Sequence, residues 1–443
     1  MTPRAVITGV GVAAPSGVGA AAHWRTLLAG ERRIGPITLF DPAGYATRLG
    51  GEVPGFAVAS HVEGRLVVQT DRWTWLGFAA AQEALDDAAI DPATLDPYSM
   101  SVVLASSSGG NQFGQGELQR LWGRPDRTVG AYQSIAWFYA ASVGQLSIKH
   151  QMKGPSSVLA TESAGGLDSL AHAARAVRRG TRVVLAGGTE APLGPYALAC
   201  QQRSGWLSTQ DDPALAYRPF DTAASGYVPG EGGAVLVVEN LEHALGRGTP
   251  HIYAEILGWG ASHDGEPTRR GGGGSAGQFA RAMRLALDRA GLRPDDVDVV
   301  FPDAMGVPAY DTTEARALRQ VFGAGGPAAV TTQKPLIGRL YQGGSALDAV
   351  TAALAMRAGV VPANAGLDRP AQECDLRFVP AATPSTTDVA MVNARGFDGF
   401  NTSLLLRRWQ PAGGGAPMPA GQPVLAGQPV LAGQPVLAGQ GER

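Results

Sequence analysis

The chain has 443 residues, roughly two to three times the usual size of a single domain, which predicts several domains or one large duplicated fold. Hydrophobic residues make up 44% and charged residues 17%, a composition that can bury a large core and excludes disorder over the whole length. The formal net charge of −2 argues against a nucleic acid or an anionic membrane surface as the main partner.

The N-terminal segment carries no targeting signal that we can identify. Gly and Pro interrupt the small apolar residues of MTPRAVITGVGVAAPSGVG, which is more typical of a strand and a turn. No later window approaches the roughly 18 uninterrupted apolar residues that a membrane-spanning helix needs. The sequence therefore predicts a soluble, cytoplasmic chain.

Strand and helix patterns alternate from the first residues onward. Buried-strand runs bounded by glycine, and apolar residues at helical spacing, define the elements. In chain order these are strand 5–10, helix 21–28, helix 73–89, strand 101–106, helix 163–179, strand 181–188, helix 278–290, strand 297–301, helix 312–322, strand 328–332 and helix 343–358. This order predicts an α/β protein with a mostly parallel sheet covered by helices. The second half repeats the order of the first, which indicates a structural duplication.

The composition changes after about residue 410. The hexapeptide AGQPVL occurs three times between Ala420 and Leu437. Repeats this short, with a proline in each copy, cannot bury a core of their own. Residues 411–443 are therefore predicted to form a disordered tail.

Ser163 is the strongest candidate for chemistry. It stands in TESAGGLD, directly before a periodic helix, where free backbone N–H groups suit a nucleophile and an oxyanion. The same position is also typical of an ordinary N-cap serine. A catalytic serine needs a base, yet none of the seven histidines stands in a glycine-flanked strand-end loop of the second half. No histidine pair with a carboxylate has metal-ligand spacing, so no metal site is predicted.

Four motifs together resemble one family. ITGVGVAAPSG, GPSSVLATESAGGLDSLAHA, PFDTAASGYVPGEGGAVLVVE and KPLIGRLYQGGSALDAV are similar to the β-ketoacyl synthases of the thiolase fold. More narrowly, residues 3–408 resemble a chain length factor, the ketosynthase β subunit of bacterial type II aromatic polyketide synthases. The resemblance implies a five-layered αβαβα fold with mostly parallel mixed sheets, made of two similar, ketosynthase-like halves, residues 1–250 and 251–410.

The resemblance also implies that the catalytic groups have been lost. An active ketosynthase has Cys where this chain has Ser163, and its two catalytic histidines fall where this chain has Asp303 and Arg339. A serine hydroxyl without an activating base is a poor nucleophile at neutral pH. We therefore expect a catalytically degenerate, non-catalytic subunit. The alternative is a serine-dependent acyltransferase or malonyl decarboxylase that uses Ser163.

The resemblance places a gate for the growing polyketide on the helix within residues 109–122. Asn111, Gly114 and Leu118 then lie on one helical face, at positions i, i+3 and i+7. Octaketide-type relatives tend to have bulky aromatics at the first and last of these positions. The smaller residues here predict a deeper tunnel and products longer than octaketides, in the decaketide to dodecaketide range or beyond.

The resemblance finally implies the partners. Trp137, Phe138 and Tyr139 are predicted at the interface of a heterodimer with a catalytic ketosynthase α subunit, because aromatics concentrate at such interfaces. The tunnel between the subunits holds the growing poly-β-ketone chain. No cofactor is expected on this chain, because the substrate is carried on the phosphopantetheine of an acyl carrier protein.

Overall fold

The computed structural model describes residues 3–265 and 272–410. The strands are β1 Ala5–Ala14, β2 Gly17–Val18, β3 Ile34–Pro36, β4 Leu49–Gly51, β5 Met100–Ala105, β6 Ser157–Leu159, β7 Val183–Glu190, β8 Gly232–Asn240, β9 Ala254–His263, β10 Val299–Phe301, β11 Val360–Val361, β12 Thr383–Pro384, β13 Val389–Gly396 and β14 Phe400–Arg408. The predicted disordered tail, residues 411–443, lies outside the described residues.

Helices follow most of the strands. They are α1 Ala20–Leu28, α2 Gly64–Val67, α3 Arg72–Asp87, α4 Asn111–Gly123, α5 Gln133–Ala136, α6 Ala141–Lys149, α7 Gly165–Arg178, α8 Pro195–Gln202, α9 Leu241–Gly246, α10 Ala276–Ala290, α11 Pro308–Phe322, α12 Lys334–Ile337 and α13 Gln342–Ala358. The helices predicted from apolar spacing are α1, α3, α7, α10, α11 and α13, and each is confirmed within a few residues. The predicted strand 328–332 is wrong in extent, since Val330 forms isolated bridges to Val300 and Phe378.

The large sheet is built from two parts. The first has the order β6-β5-β7-β8-β1 and the second β9-β14-β13-β10. They meet where β1 pairs with β9, at Val6 opposite Glu255 and Ile7 opposite Ala254. The two parts therefore repeat one strand order on either side of this junction, which fits the duplication inferred from the sequence.

The sheet is mixed, as predicted, but most of its strand pairs are antiparallel and not parallel. The pairs β5–β6, β5–β7 and β10–β13 are parallel. The pairs through the centre, β7–β8, β8–β1, β1–β9, β9–β14 and β14–β13, are antiparallel. The alternating pattern of the sequence identified strands that are linked by crossover helices, and such strands pair in parallel. It did not identify β8, β9 or β14, and each of the antiparallel central pairs contains one of these strands.

Five layers follow from the packing of the core. Helices α7 and α13 lie between the two parts of the sheet, and their apolar residues pack against strands of both. Helices α3 and α6 cover the outer face of the first part, while α10 and α11 cover the outer face of the second. β1 is buried on both faces as a result, and Gly9 and Gly11 let α3 approach closely, because a Cβ there would lie about 2 Å from a carbonyl oxygen of α3. The predicted αβαβα α/β architecture is confirmed.

Candidate functional site

Ser163 lies in a short turn that leads directly into α7 at the centre of the molecule. The turn spans Glu162–Ala164, and the Ser163 side chain is buried. Its hydroxyl donates a hydrogen bond to Oε1 of Glu162 at 2.8 Å. Glu162 has a φ of 50°, a left-handed conformation that is uncommon for a residue with a side chain. The Ser163 hydroxyl is therefore directed at a carboxylate, and the residue that carries this carboxylate has a strained backbone conformation.

The first turn of α7 packs tightly against the first turn of α13. A Cβ at Gly166 would lie 2.4 Å from the backbone oxygen of Gln342. A larger residue at this position would push the two central helices apart. Gly166, three residues after Ser163, thus allows the start of α7 and the Ser163 turn before it to lie close to α13.

Asp303 and Arg339 form a buried ion pair with each other. Asp303 follows β10 and Arg339 follows α12, and the Arg339 Nη2 atom lies 3.0 Å from Oδ1 of Asp303. Both side chains are less than 5% exposed. Arg339 also donates to the backbone oxygen of Arg395 at 2.9 Å, while the Arg395 N–H donates to Asp303 Oδ1 at 2.9 Å. The two predicted positions are therefore brought together, and each satisfies the other's charge.

Aromatic side chains surround this ion pair. The guanidinium carbon of Arg339 lies 5.6 Å from the ring centre of Tyr227, and the hydroxyl of Tyr217 donates to the backbone oxygen of Ala304. Burial disfavours the charged guanidinium, but Asp303, Tyr217 and Glu162 together outweigh that effect and raise the pKa of Arg339 well above its usual value. Arg339 therefore stays protonated over the physiological pH range and is not available as a general base. The Asp303 carboxylate is occupied by Arg339 and by the Arg395 N–H.

Two further buried carboxylates hold the loop that carries Asp303. Glu314 of α11 accepts the N–H groups of Asp303 and Ala304 at 2.8 and 2.9 Å. Asp311 accepts those of Gly306 and Phe220, both at 2.9 Å. Burial raises the pKa of Asp311 to about 7, and burial together with the Asp303 charge raises that of Glu314 to about 8. The sequence analysis missed both residues, although two acids at i and i+3 directly after a candidate site loop are a usable signal.

These raised values predict that stability falls as pH rises. An acid whose pKa is higher in the folded state than in the unfolded state favours folding below its ordinary pKa, and that contribution is lost as pH rises through the folded value. We expect the contribution of these two acids to the free energy of unfolding to fall between about pH 4 and pH 8. The fall should be shallower in Asp311→Asn, as measured by urea unfolding at several pH values.

Asp91→Asn, which changes an exposed N-cap carboxylate, is the control and should keep the pH slope of the parent chain. An identical slope in Asp311→Asn and the parent would contradict the assignment of this titration to Asp311.

The predicted gate residues lie on α4 but differ in their surroundings. The Asn111 side chain donates to Oγ of Ser108 at 3.0 Å. Gly114 is buried beneath Trp137, and a Cβ at Gly114 would lie 2.7 Å from Cδ1 of that indole. Leu118 is 42% exposed on the next turn. The structure thus brings a predicted gate residue, Gly114, into contact with a predicted interface residue, Trp137, and leaves Leu118 at the surface.

Trp137, Phe138 and Tyr139, the residues predicted at a subunit interface, are all exposed in the single chain. They are part of a larger set of exposed apolar side chains between residues 118 and 139, which also includes Leu118, Trp122, Val129, Tyr132 and Ile135. α4 and the segment after α5 pack together, since the Gly110 N–H donates to the backbone oxygen of Trp137 at 3.1 Å. We call residues 118–139 the apolar segment. Exposed aromatics at this density are typical of a protein–protein interface.

Within residues 3–265 and 272–410, no group of three or more His, Cys, Asp or Glu side chains is arranged to hold a metal ion. In the same part of the chain, no helix has the length and apolarity to cross a membrane.

The sequence matches two models of one family. Residues 2–244 match the N-terminal domain of β-ketoacyl synthase, and residues 253–368 match its C-terminal domain. The chain is 49% identical over 405 residues to the tetracenomycin polyketide synthase ketoacyl synthase beta subunit of Streptomyces glaucescens, covering 91% of this chain and 98% of that protein. It is 47% identical over 407 residues to the actinorhodin polyketide putative beta-ketoacyl synthase 2 of Streptomyces coelicolor, covering 92% and 99%.

Solved structures give the same answer. The ishigamide ketosynthase/chain length factor superposes with a TM-score of 0.86 at 28% identity, covering 93% of this chain and all of that chain. A β-ketoacyl synthase from Burkholderia phymatum superposes with a TM-score of 0.85 at 27% identity, covering 92% of this chain and all of that chain. The fold is therefore the thiolase-like fold of the ketosynthases. The chain belongs to the β-ketoacyl synthase family, and its predicted resemblance to the ketosynthase β subunits, or chain length factors, of type II polyketide synthases is confirmed.

Proposed function

We propose that this chain is a non-catalytic subunit that pairs with an active ketosynthase α subunit and sets the length of the polyketide. The observation that carries the proposal is the buried Arg339–Asp303 ion pair, which occupies the two positions where an active ketosynthase needs histidines. Acyl transfer and decarboxylation require groups that can bind an oxyanion and exchange protons. A guanidinium neutralised by its own carboxylate supplies neither.

The apolar segment supports the pairing part of the proposal. Its exposed aromatics would be covered in a heterodimer, and the contact between Gly114 and Trp137 would place the gate next to that interface. The growing poly-β-ketone, carried by the phosphopantetheine of an acyl carrier protein, would enter a tunnel between the subunits and stop at Asn111, Gly114 and Leu118. Residues 1–250 and 251–410 form the two ketosynthase-like halves in this proposal, and the assembly acts in the cytoplasm.

The isolated chain is expected to form no carbon–carbon bonds, and Ser163→Cys is expected to remain inactive. A thiol at position 163 would still have no imidazole to activate it, because Asp303 and Arg339 remain paired. The measurement is product formation from malonyl-loaded acyl carrier protein, first with each single subunit and then with the reconstituted pair. The pair should make polyketide, and condensation by this chain alone would contradict the proposal.

One observation favours the alternative of a serine-dependent acyltransferase or malonyl decarboxylase. The 2.8 Å hydrogen bond from Ser163 to Glu162 resembles a nucleophile beside a carboxylate base. Mass spectrometry after incubation with malonyl- or acetyl-loaded acyl carrier protein tests it directly. An acyl adduct that is present on the parent chain and absent from Ser163→Ala would establish this second function.

A further inference from the structure

The first turn of the gate helix α4 lacks a cap from its own segment. The residue before it is Gly110, which provides no side-chain cap. The N–H groups at the start of a helix have no partner within the helix and need one from elsewhere. Here the partner comes from a distant part of the chain, because Oδ2 of Asp71 accepts the Phe113 N–H at 2.6 Å.

Asp71 serves two helices at once. Its other oxygen, Oδ1, accepts the Trp73 N–H at 3.2 Å and caps α3. The residue is 2% exposed, so this carboxylate is shared between the starts of α3 and α4 inside the protein. α3 is fixed by its packing on the sheet. Asp71 therefore ties the position of the α4 first turn to the core.

A second buried carboxylate holds the turn that precedes α4. Glu190, at the end of β7, accepts the Ser107 N–H at 3.2 Å and the Ser108 hydroxyl at 2.6 Å. Ser108 Oγ in turn accepts the hydrogen bond from the Asn111 side chain, so the chain of contacts ends on a gate residue. Glu190 also accepts a hydrogen bond from the side chain of Gln342, the first residue of α13. The relay thus connects the gate to the central helix layer.

The arrangement is electrostatically costly. Burial raises the pKa of Asp71 to about 6 and that of Glu190 to about 7, and the charge of Asp71 adds to the shift of Glu190. In the described part of the chain neither carboxylate forms a salt bridge, since Arg72, the neighbour of Asp71, is paired with Glu231. The backbone N–H and hydroxyl groups that the two carboxylates accept offset this cost, and the groups bound by Asp71 Oδ2 and by Glu190 belong to α4 and to the turn before it.

We infer that Asp71 and Glu190 are positioning residues for chain length, and that together they anchor the start of α4 so that Asn111 and the gate face stay fixed against the growing chain. The inference rests on the proposed function. Gate residues can end the growth of the polyketide at a single length only when they are held in one position. A loosened first turn would let the gate shift and would broaden the product distribution toward longer chains.

The test is product mass from the reconstituted heterodimer carrying Asp71→Asn in this chain. Asparagine has nearly the same shape but a single acceptor oxygen, so it cannot serve both helices. We expect the ratio of the main product to products of other lengths to fall about fivefold, the change that one lost hydrogen bond of ordinary strength gives. Ser108→Ala, which breaks the relay from Glu190 to Asn111, should have a similar effect, whereas Ser108→Thr, which keeps the hydroxyl, should restore the parent distribution.

Glu83→Gln is the matched control. Glu83 also lies on α3 and accepts two backbone N–H groups, those of Val12 and Ala20 at 2.7 Å, but neither group belongs to α4. This variant should lose stability and keep the product distribution. Unchanged distributions in both Asp71→Asn and Ser108→Ala, in a heterodimer whose products do shorten with Leu118→Trp, would overturn the inference and leave the proposed function standing. If Leu118→Trp has no effect either, the gate itself is wrong and the inference fails with it.

Discussion

Replacing Leu118 with tryptophan is expected to shorten the polyketide made by the reconstituted heterodimer while leaving its turnover largely intact. Each condensation adds two backbone carbons, and a chain in a closed tunnel can extend until it meets a side chain. Close-packed protein interiors do not expand locally, so a larger side chain at a predicted gate position should end the growth of the chain at a shorter length. Leu118 is 42% exposed in the single chain, and the larger side chain therefore fits without overpacking the core.

Product mass from the heterodimer, parent against variant, is the measurement. Leu245→Trp is the control, because Leu245 is an exposed leucine at the end of α9, remote in sequence and fold from α4. Products of unchanged length at normal activity in Leu118→Trp would show that this face does not line the tunnel. Gly114 is unsuitable for this test, since any side chain there collides with the Trp137 indole. A change in product length could then come either from a shorter tunnel or from a damaged interface.

The sequence predicted the elements that have a strong local signature. Helices α7 and α10 show apolar residues at helical spacing over more than three turns, and their bounds agree with the prediction to within about two residues. The central strands β8, β9 and β14 were missed as elements. β13 was missed as well, and buried polar residues such as Glu255, Asn393 and Ser403 interrupt the apolar runs of β9, β13 and β14. Nothing local distinguishes the antiparallel pairing of a buried strand from a parallel one.

The sequence named the residues of the candidate site but gave no information on the contacts between them. The motifs placed Ser163, Asp303 and Arg339, but a pairing between residues 36 positions apart depends on where the loops after β10 and α12 meet. The same holds for the gate. Spacing put Gly114 and Leu118 on one helix face, whereas the contact of Gly114 with Trp137 and the support of the helix by Asp71 come from segments distant in sequence. Local patterns carry no information on such contacts.

Removing one partner of the Arg339–Asp303 pair is expected to destabilise the chain strongly. Asp303→Asn keeps the shape of the side chain and removes its charge, which leaves a guanidinium buried with no carboxylate bound to it. A single unpaired charge in a protein interior costs about 3–5 kcal/mol. The double variant Asp303→Asn/Arg339→Met removes both charges and should recover a large part of that loss, because its remaining cost is the backbone oxygens that Arg339 no longer binds.

Urea unfolding of the four chains of this double-mutant cycle measures the coupling. Glu31→Gln supplies the exposed comparison. Glu31 pairs with Arg33 at the surface, where both side chains are more than 40% exposed, and its loss should change the free energy of unfolding by less than about 1 kcal/mol. A change of similar size in Asp303→Asn would mean that solvent screens the Arg339 charge, and the site would then be open enough to hold water and a substrate. A large loss that the double variant reverses would instead show that the buried pair is closed to solvent, as the proposed function expects.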